Sequence, residues 1–468
     1  MIQLSNPRIR TRRQLLQSAS CGFGYLALAG LTTRSAQADT IVSAGFEHPL
    51  ASKTPQLPAR AKRVIFLFMQ GGPSHVDTFD YKPELPKLAE RGVDKLYSGK
   101  RINGKLLPSP WKFSPHGESG MPISELYPHL AQHSDELCLI NGMHTDNPAH
   151  PQATIMLHTG SINFVRPSVG AWVVYGLGTE NQDLPGFVTI NPANNLGGAQ
   201  NYGSSFLPAS YQATRLDTGP NPLANVTNPR MTREEQRRHL NLVQSMNQDL
   251  LDRSVHDTEL EGIIESYELA FRMQSTVPEL MDIASEPEAT KQMYGIGEKA
   301  TDNFGKQCLM ARRLAEAGVR FIEVTHRGWD QHNNLRQRLA ANCLATDKPI
   351  AALIADLKRR NMLDDTLIVW SGEFGRTPAE QNNGNGRRHN ASGFTTWLAG
   401  GGVKGGLRYG ETDPTGFDAV RDKVHTHDLH ATMLYLLGLD HERLTYRYSG
   451  RDFRLTDVYG NVVQDIIS

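Results

Sequence analysis

Charge of one sign is what this chain most plainly lacks: Lys plus Arg number 49 and Asp plus Glu 49, a formal net charge of zero. No broad basic field exists to hold a polyanion, so nucleic acid is excluded as a general partner. Cysteine is scarce as well. The four are Cys21, Cys138, Cys308 and Cys343, and none sits in a CxxC pair. That excludes a thiolate zinc site or a dithiol redox site, and it leaves too few thiols for a disulfide framework. A fold of 468 residues must then be held by its core. Long apolar runs are missing too: the stretch from Cys21 to Leu31 is well short of the roughly 20 residues that span a bilayer. No dinucleotide or haem motif is present. The glycine-rich "GGGVKGG" at Gly400 to Gly406 lacks the Gly-Lys-Ser/Thr ending of a phosphate loop and reads as a turn.

What is there begins with an N-terminal segment that looks removable. Residues 1–38 carry a basic start, the short apolar stretch and Ala36-Gln37-Ala38 as a small-residue cleavage site, the features of an export signal. Thr11-Arg12-Arg13-Gln14-Leu15-Leu16 resembles the twin-arginine motif of proteins exported after folding. The expected location is periplasmic or extracellular. Residues 39–61 read as a polar, Pro-containing linker, and 62–468 as the folded domain.

Within that domain, short β-branched and aromatic runs recur at wide spacing: Val64 to Met69, Leu137 to Asn141, Gly186 to Ile190, Arg320 to Thr325, Thr366 to Trp370 and Phe394 to Ala399. Helical patterns separate several of them, most clearly Ala340 to Arg360, whose apolar residues fall mainly on one face. Strand and helix in alternation predict an α/β fold with a mostly parallel central sheet and helices on both sides. A charged, helical stretch at about 229–300, clearest from Thr232 to Gln274, interrupts the alternation and reads as a helical insertion.

Open parallel sheets place their ligands beyond the carboxyl ends of the strands. Those positions are rich here. His75, Asp77 and Asp80 follow the first run, and Asp330 and His332 follow "RFIEVTH" within "GWDQHNN". Glu373 and Arg376 follow "TLIVWSG"; further on come His389 in "GRRHN" and His425, His427, Asp428 and His430 in "VHTHDLH". Imidazole with carboxylate is the donor set of a divalent metal, zinc first, with manganese, calcium or magnesium as alternatives. Asp330, His332, Glu373 and one of His425 or His427 are the first-choice ligands; His75, Asp77 and His389 come next. Arg376 has the planar fork that suits an anionic group. Two residues have a structural alternative: Asp428 as a helix cap and His430 as a buried core histidine.

The motifs "FMQGGPSHVDTFD", "GWDQHNN", "SGEFGRTP", "GRRHN" and "DLHATMLYLLGLDHERLTYRYSGRDFRLTD" resemble those of a secreted bacterial family, domain of unknown function 1501. That family is similar to the alkaline phosphatase and sulfatase superfamily, and the resemblance implies an α/β/α sandwich with a metal centre at the strand ends. It also implies that Asp330 and His332 match the ligands of one metal and Glu373 matches a ligand of a second. Three positions depart from the pattern. Gln70 stands for a metal-binding Asp, Phe374 for a histidine ligand, and His150, in "HPQATIMLHTG", for the nucleophile. A histidine there could form a phospho-enzyme, bind metal or mark loss of the chemistry. The expected function is an exported, metal-dependent hydrolase of phosphate or sulfate esters, acting on a small-molecule or polysaccharide substrate. The alternative is a catalytically degenerate relative that serves as a surface binding or scaffold protein.

Overall fold

Eight consecutive buried residues, "RVIFLFMQ" from Arg63–Gln70, form the central strand. A strand with no solvent-facing alternation must be covered on both faces, as in the middle of a parallel sheet. The structure, a computed structural model, describes residues 50–468 apart from 93–94, 96–98, 100, 103, 193–194, 220–222, 224–229, 252–257 and 382–384. The export signal at 1–38 and the first part of the linker lie outside the described residues.

The strands that matter here are β1 (Arg63–Gln70), β2 (Leu137–His144), β3 (Phe187–Ile190), β4 (Thr214–Leu216), β5 (Phe321–Arg327) and β6 (Thr366–Ser371), then β7 (Gly375–Gln381), β8 (Gly386–Asn390), β9 (Phe394–Ala399), β10 (Leu407–Tyr409) and β11 (Val424–His425). The main sheet runs β10-β2-β9-β6-β1-β5-β3-β4, with β11 also paired to β2. β1 pairs in parallel with β5 and β6, β3 with β5 and β4, and β2 with β10 and β11. Only β9 runs against its neighbours β2 and β6. The carboxyl ends of β1, β2, β5, β6 and β11 therefore share one edge, and β7 and β8 form an antiparallel hairpin beyond it.

The helices are α1 (His150–Thr159), α2 (Val169–Leu177), α3 (Arg233–Leu251), α4 (Thr258–Met281), α5 (Asp302–Glu316), α6 (Leu335–Arg359) and α7 (Thr426–Leu436). α1 starts where Pro151 occupies its first turn and stops at Gly160, φ +68°, which is the expected asymmetry of proline at a helix start and glycine at its end. It packs on β1: the His158 ring lies edge-on to Phe68 at 4.7 Å. α3 and α4 fall in the stretch read as an insertion and pair through Arg237 and Glu268 at 2.7 Å. Residues 50–61 lie along the domain, with backbone bonds from Lys53 to Leu177 and from Leu57 to Gly438. Cys138, Cys308 and Cys343 are buried and free. Among the described residues no helix is long and apolar enough to cross a membrane.

Candidate metal centre

The carboxyl edge gathers side chains from four connections. β1 ends at Gln70, and Gly71 follows with φ +120°. A Cβ on Gly71 would lie 2.5 Å from the Asp330 backbone nitrogen, so glycine is what lets the loop after β5 close against the end of β1. That loop is pinned by Trp329 N–H donating to Gln70 O at 3.1 Å. The β7–β8 hairpin then docks on it through Arg387 N–H to Gln331 O at 3.1 Å. Gly386 permits this approach, since a Cβ there would meet His332 O at 2.0 Å. His150 enters from the first turn of α1.

These movements bring His150, Asp330, His332 and His389 together, with one donor atom of each within 4.8 Å of all the others. The three imidazoles converge through Nε2 on a single oxygen: Asp330 Oδ1 lies 3.2 Å from His150, 3.0 Å from His332 and 3.5 Å from His389. His332 Nε2 and His389 Nε2 are 2.8 Å apart. Each ring is fixed from behind by its other nitrogen. His150 Nδ1 meets Glu373 Oε1 at 2.5 Å, His332 Nδ1 meets Gln381 Oε1 at 2.7 Å, and His389 Nδ1 meets Pro148 O at 2.6 Å. All three partners are oxygens that accept, so each Nδ1 carries the hydrogen and donates it. A neutral imidazole protonated at Nδ1 presents a lone pair at Nε2. Three such lone pairs around one carboxylate oxygen repel unless positive charge sits among them, which is the tautomer and orientation pattern that surrounds a protein-bound metal.

Electrostatics point the same way. Burial draws the His150 pKa down, but the hydrogen bonds and charges of Asp330 and Glu373 outweigh it and push it up to about 9. Positive charge is thus favoured at His150, as proton or as cation. Burial alone would raise the Asp330 carboxyl. With no cation present and Nε2 of His150 and His389 protonated, their hydrogen bonds, together with the Arg376 guanidinium, hold it far below the usual carboxylate range. Phe374 is 1% exposed, and its ring walls the centre at 4.8 Å from His150 and 4.7 Å from His389.

The other sequence candidates take different places. Glu373 is buried behind His150, and both its oxygens accept from Gly71 N–H at 3.1 and 3.0 Å. Arg376 is fully buried: it donates to Gly71 O, to Gly72 O at 3.0 Å, to Arg387 O at 3.3 Å and to Asp330 Oδ1 at 2.6 Å. It orients Asp330 and ties down the end of β1. Asp77 forms a bidentate pair with Arg387 at 2.7 and 3.0 Å, also fully buried. His75 bonds Gly416 O at 2.7 Å, and burial holds its pKa below the ordinary value.

His425 and His427 lie apart from the cluster. His425 Nε2 meets Asp146 Oδ1 at 3.2 Å and its Nδ1 accepts from His427 N–H, while His427 Nε2 meets Gly160 O at 2.8 Å. Asp428 caps α7 through His425 N–H, and His430 is buried against Leu157 O. Sequence reasoning missed the oxygens of Gln381 and Pro148. Gln381 is an ordinary polar residue in a hairpin, and a backbone carbonyl leaves no compositional trace.

Beside the cluster a cavity of about 390 Å³ is lined by Gln70, Asn195, Leu196 and Arg327 together with His150 and Asp330. No Ser, Thr or Cys is among the described residues that line it.

No curated protein sequence matches the chain. Several solved structures do. The lipoteichoic acid synthase LtaP from Listeria monocytogenes shares 10% identity over 87% of this chain and 78% of that one, with a TM-score of 0.34. The alkaline phosphatase from the Antarctic bacterium TAB5 shares 11% over 76% and 94%, TM-score 0.31. The PsFucS1 sulfatase from Pseudoalteromonas sp. shares 13% over 81% and 68%, TM-score 0.31. In sequence, a family model matches residues 61–467, nearly the whole described chain, and the protein belongs to that family, the protein of unknown function DUF1501.

Proposed function

We propose that the chain is an exported, metal-dependent hydrolase of phosphate or sulfate esters, with His150, Asp330, His332 and His389 as the metal ligands. One observation carries this reading: three imidazoles aim Nε2 at one carboxylate oxygen, and each donates its Nδ1 hydrogen to an oxygen behind it. A nitrogen-rich set with one carboxylate suits zinc better than calcium or magnesium, which prefer all-oxygen sites. A bound divalent cation there supplies Lewis-acid polarisation of an ester oxygen and makes water a stronger nucleophile at neutral pH.

The chain's own residues do the rest. Glu373, Gln381 and Pro148 O hold the ring tautomers. Arg376 keeps Asp330 ionised and aimed at the cluster. Phe374 keeps water away from the rear of His150 and His389. With no side-chain hydroxyl or thiol among the described lining residues, the attacking group in this reading is water.

The test is metal analysis of the purified protein, followed by a screen of aryl phosphates and sulfates with and without chelator. About one zinc per chain and chelator-sensitive turnover support the proposal. Neither metal nor turnover would favour the scaffold reading, which draws on Gln70, Phe374 and His150 standing where the superfamily pattern has two metal ligands and a nucleophile.

A further inference from the structure

The two arginines near the cluster differ in how their charge is met. Arg376 is buried, and its charge is matched by Asp330 at 2.6 Å. Arg327, at the end of β5, lines the cavity and is exposed. Its Nη2 donates to two backbone carbonyls, Asn191 O at 3.3 Å and Pro192 O at 2.5 Å, and no carboxylate among the described residues pairs with it. Neutral carbonyls orient a guanidinium without cancelling its charge, so its remaining N–H groups stay available to an anion. Beside it, in register on β1, Gln70 is 6% exposed. Its Nε2 donates to Asn195 Oδ1 at 3.4 Å, while its Oε1 is buried with no partner among the described residues. A buried acceptor without a donor is a costly arrangement that a ligand hydroxyl would relieve. Leu196 is the one sizeable apolar side chain among the described lining residues.

We propose that this cavity is a two-part substrate pocket: Arg327 holds a tetrahedral oxyanion, and the Gln70 amide accepts a hydrogen bond from a hydroxyl on the same molecule. The ester's alcohol then carries at least one further hydroxyl, as a sugar or polyol does. At about 390 Å³ the cavity lies near the small end of ligand pockets and suits one sugar-sized unit. This inference deepens the ester-hydrolase reading and rests on it for the reaction, but the binding claim can be tested without catalysis.

Calorimetric titrations on zinc-loaded and on chelator-treated protein would use inorganic phosphate, inorganic sulfate, phenyl phosphate and glucose 6-phosphate as probes. The two inorganic anions distinguish a phosphate-selective from a sulfate-selective pocket. Arg327→Ala, and Arg327→Gln as a variant that keeps donors to the Asn191 and Pro192 carbonyls, should weaken binding of the preferred anion at least tenfold without changing zinc content. The wild type should bind glucose 6-phosphate at least fivefold more tightly than phenyl phosphate. Gln70→Leu should remove that preference and leave inorganic-anion affinity within twofold. Unchanged anion binding in both Arg327 variants would overturn the anion half. A preference that survives Gln70→Leu, or is absent from the wild type, would overturn the hydroxyl half. A wild type that binds no zinc but still binds the anion through Arg327 would sink the metal reading alone.

Discussion

Replacing Glu373 by Gln tests the support behind His150 while barely changing shape. In the native chain Glu373 Oε1 accepts from His150 Nδ1 at 2.5 Å, and both oxygens accept from Gly71 N–H at 3.1 and 3.0 Å. A glutamine oxygen can still accept from Nδ1, so the tautomer survives, but the negative charge that strengthens Nε2 as a donor to a cation is lost. A hydrogen bond to a charged group contributes about 1.5–3 kcal/mol and a neutral one about 0.5–1.5 kcal/mol. The difference, about 1–1.5 kcal/mol, corresponds to roughly a tenfold change in an equilibrium constant. The glutamine NH₂ must also face the Gly71 N–H, donor against donor, which adds to the loss. Zinc affinity should therefore fall about 10- to 100-fold, the range seen when groups behind metal ligands are altered. Competition against a chelator of known affinity would measure it, with a thermal melt to confirm that the variant is folded. Zinc affinity within twofold of the wild type in a folded Glu373→Gln protein would refute the reasoning.

Three further outcomes are expected. Asp77→Ala leaves the Arg387 guanidinium buried without its bidentate partner, which should cost about 3–5 kcal/mol, read as a lower denaturant midpoint. His158 and Glu323 form a second buried pair at 3.3 Å. Burial lowers the His158 pKa, but the charge and hydrogen bond of Glu323 outweigh it and hold the imidazole above its ordinary value. A raised folded-state pKa gives stability that is complete below the unfolded value of about 6.5 and is lost as pH rises through the folded one. Wild-type stability should decline over that window, and Glu323→Gln should flatten the decline, as followed by urea titrations at a series of pH values. Finally, free zinc at about 100 times its Kd should stabilise the wild type by about 2.7 kcal/mol, seen as a rise in Tm that the chelator reverses and that His389→Ala diminishes.

The sheet was legible because its central strands are buried on both faces and so read as unbroken apolar runs. Every run from Val64 to Met69 through Phe394 to Ala399 falls within or overlaps a strand. The strands at Thr214–Leu216, Leu407–Tyr409 and Val424–His425 are too short to show a period. Within the candidate centre, Asp330 and His332 stood out because they follow a strand directly. His389 ranked lower, since nothing local says that the β7–β8 hairpin folds back over the β5 loop. The Arg387 N–H bond to Gln331 O and the approach of Gly386 to His332 O make that visible. His150 was noticed as an oddity at a nucleophile's position, and its company became apparent only in three dimensions. Arg376 looked like an anion clamp in sequence. Whether a guanidinium faces solvent or four protein oxygens is decided by tertiary packing, and here it faces the oxygens.

The most direct measurement is anomalous diffraction at the zinc edge from crystals of the purified protein. The account predicts one strong peak about 2.0–2.1 Å from Nε2 of His150, His332 and His389 and within ligand distance of an Asp330 oxygen. A featureless map at that point from zinc-supplied crystals, or a peak only beside His425 and Asp146, would contradict it.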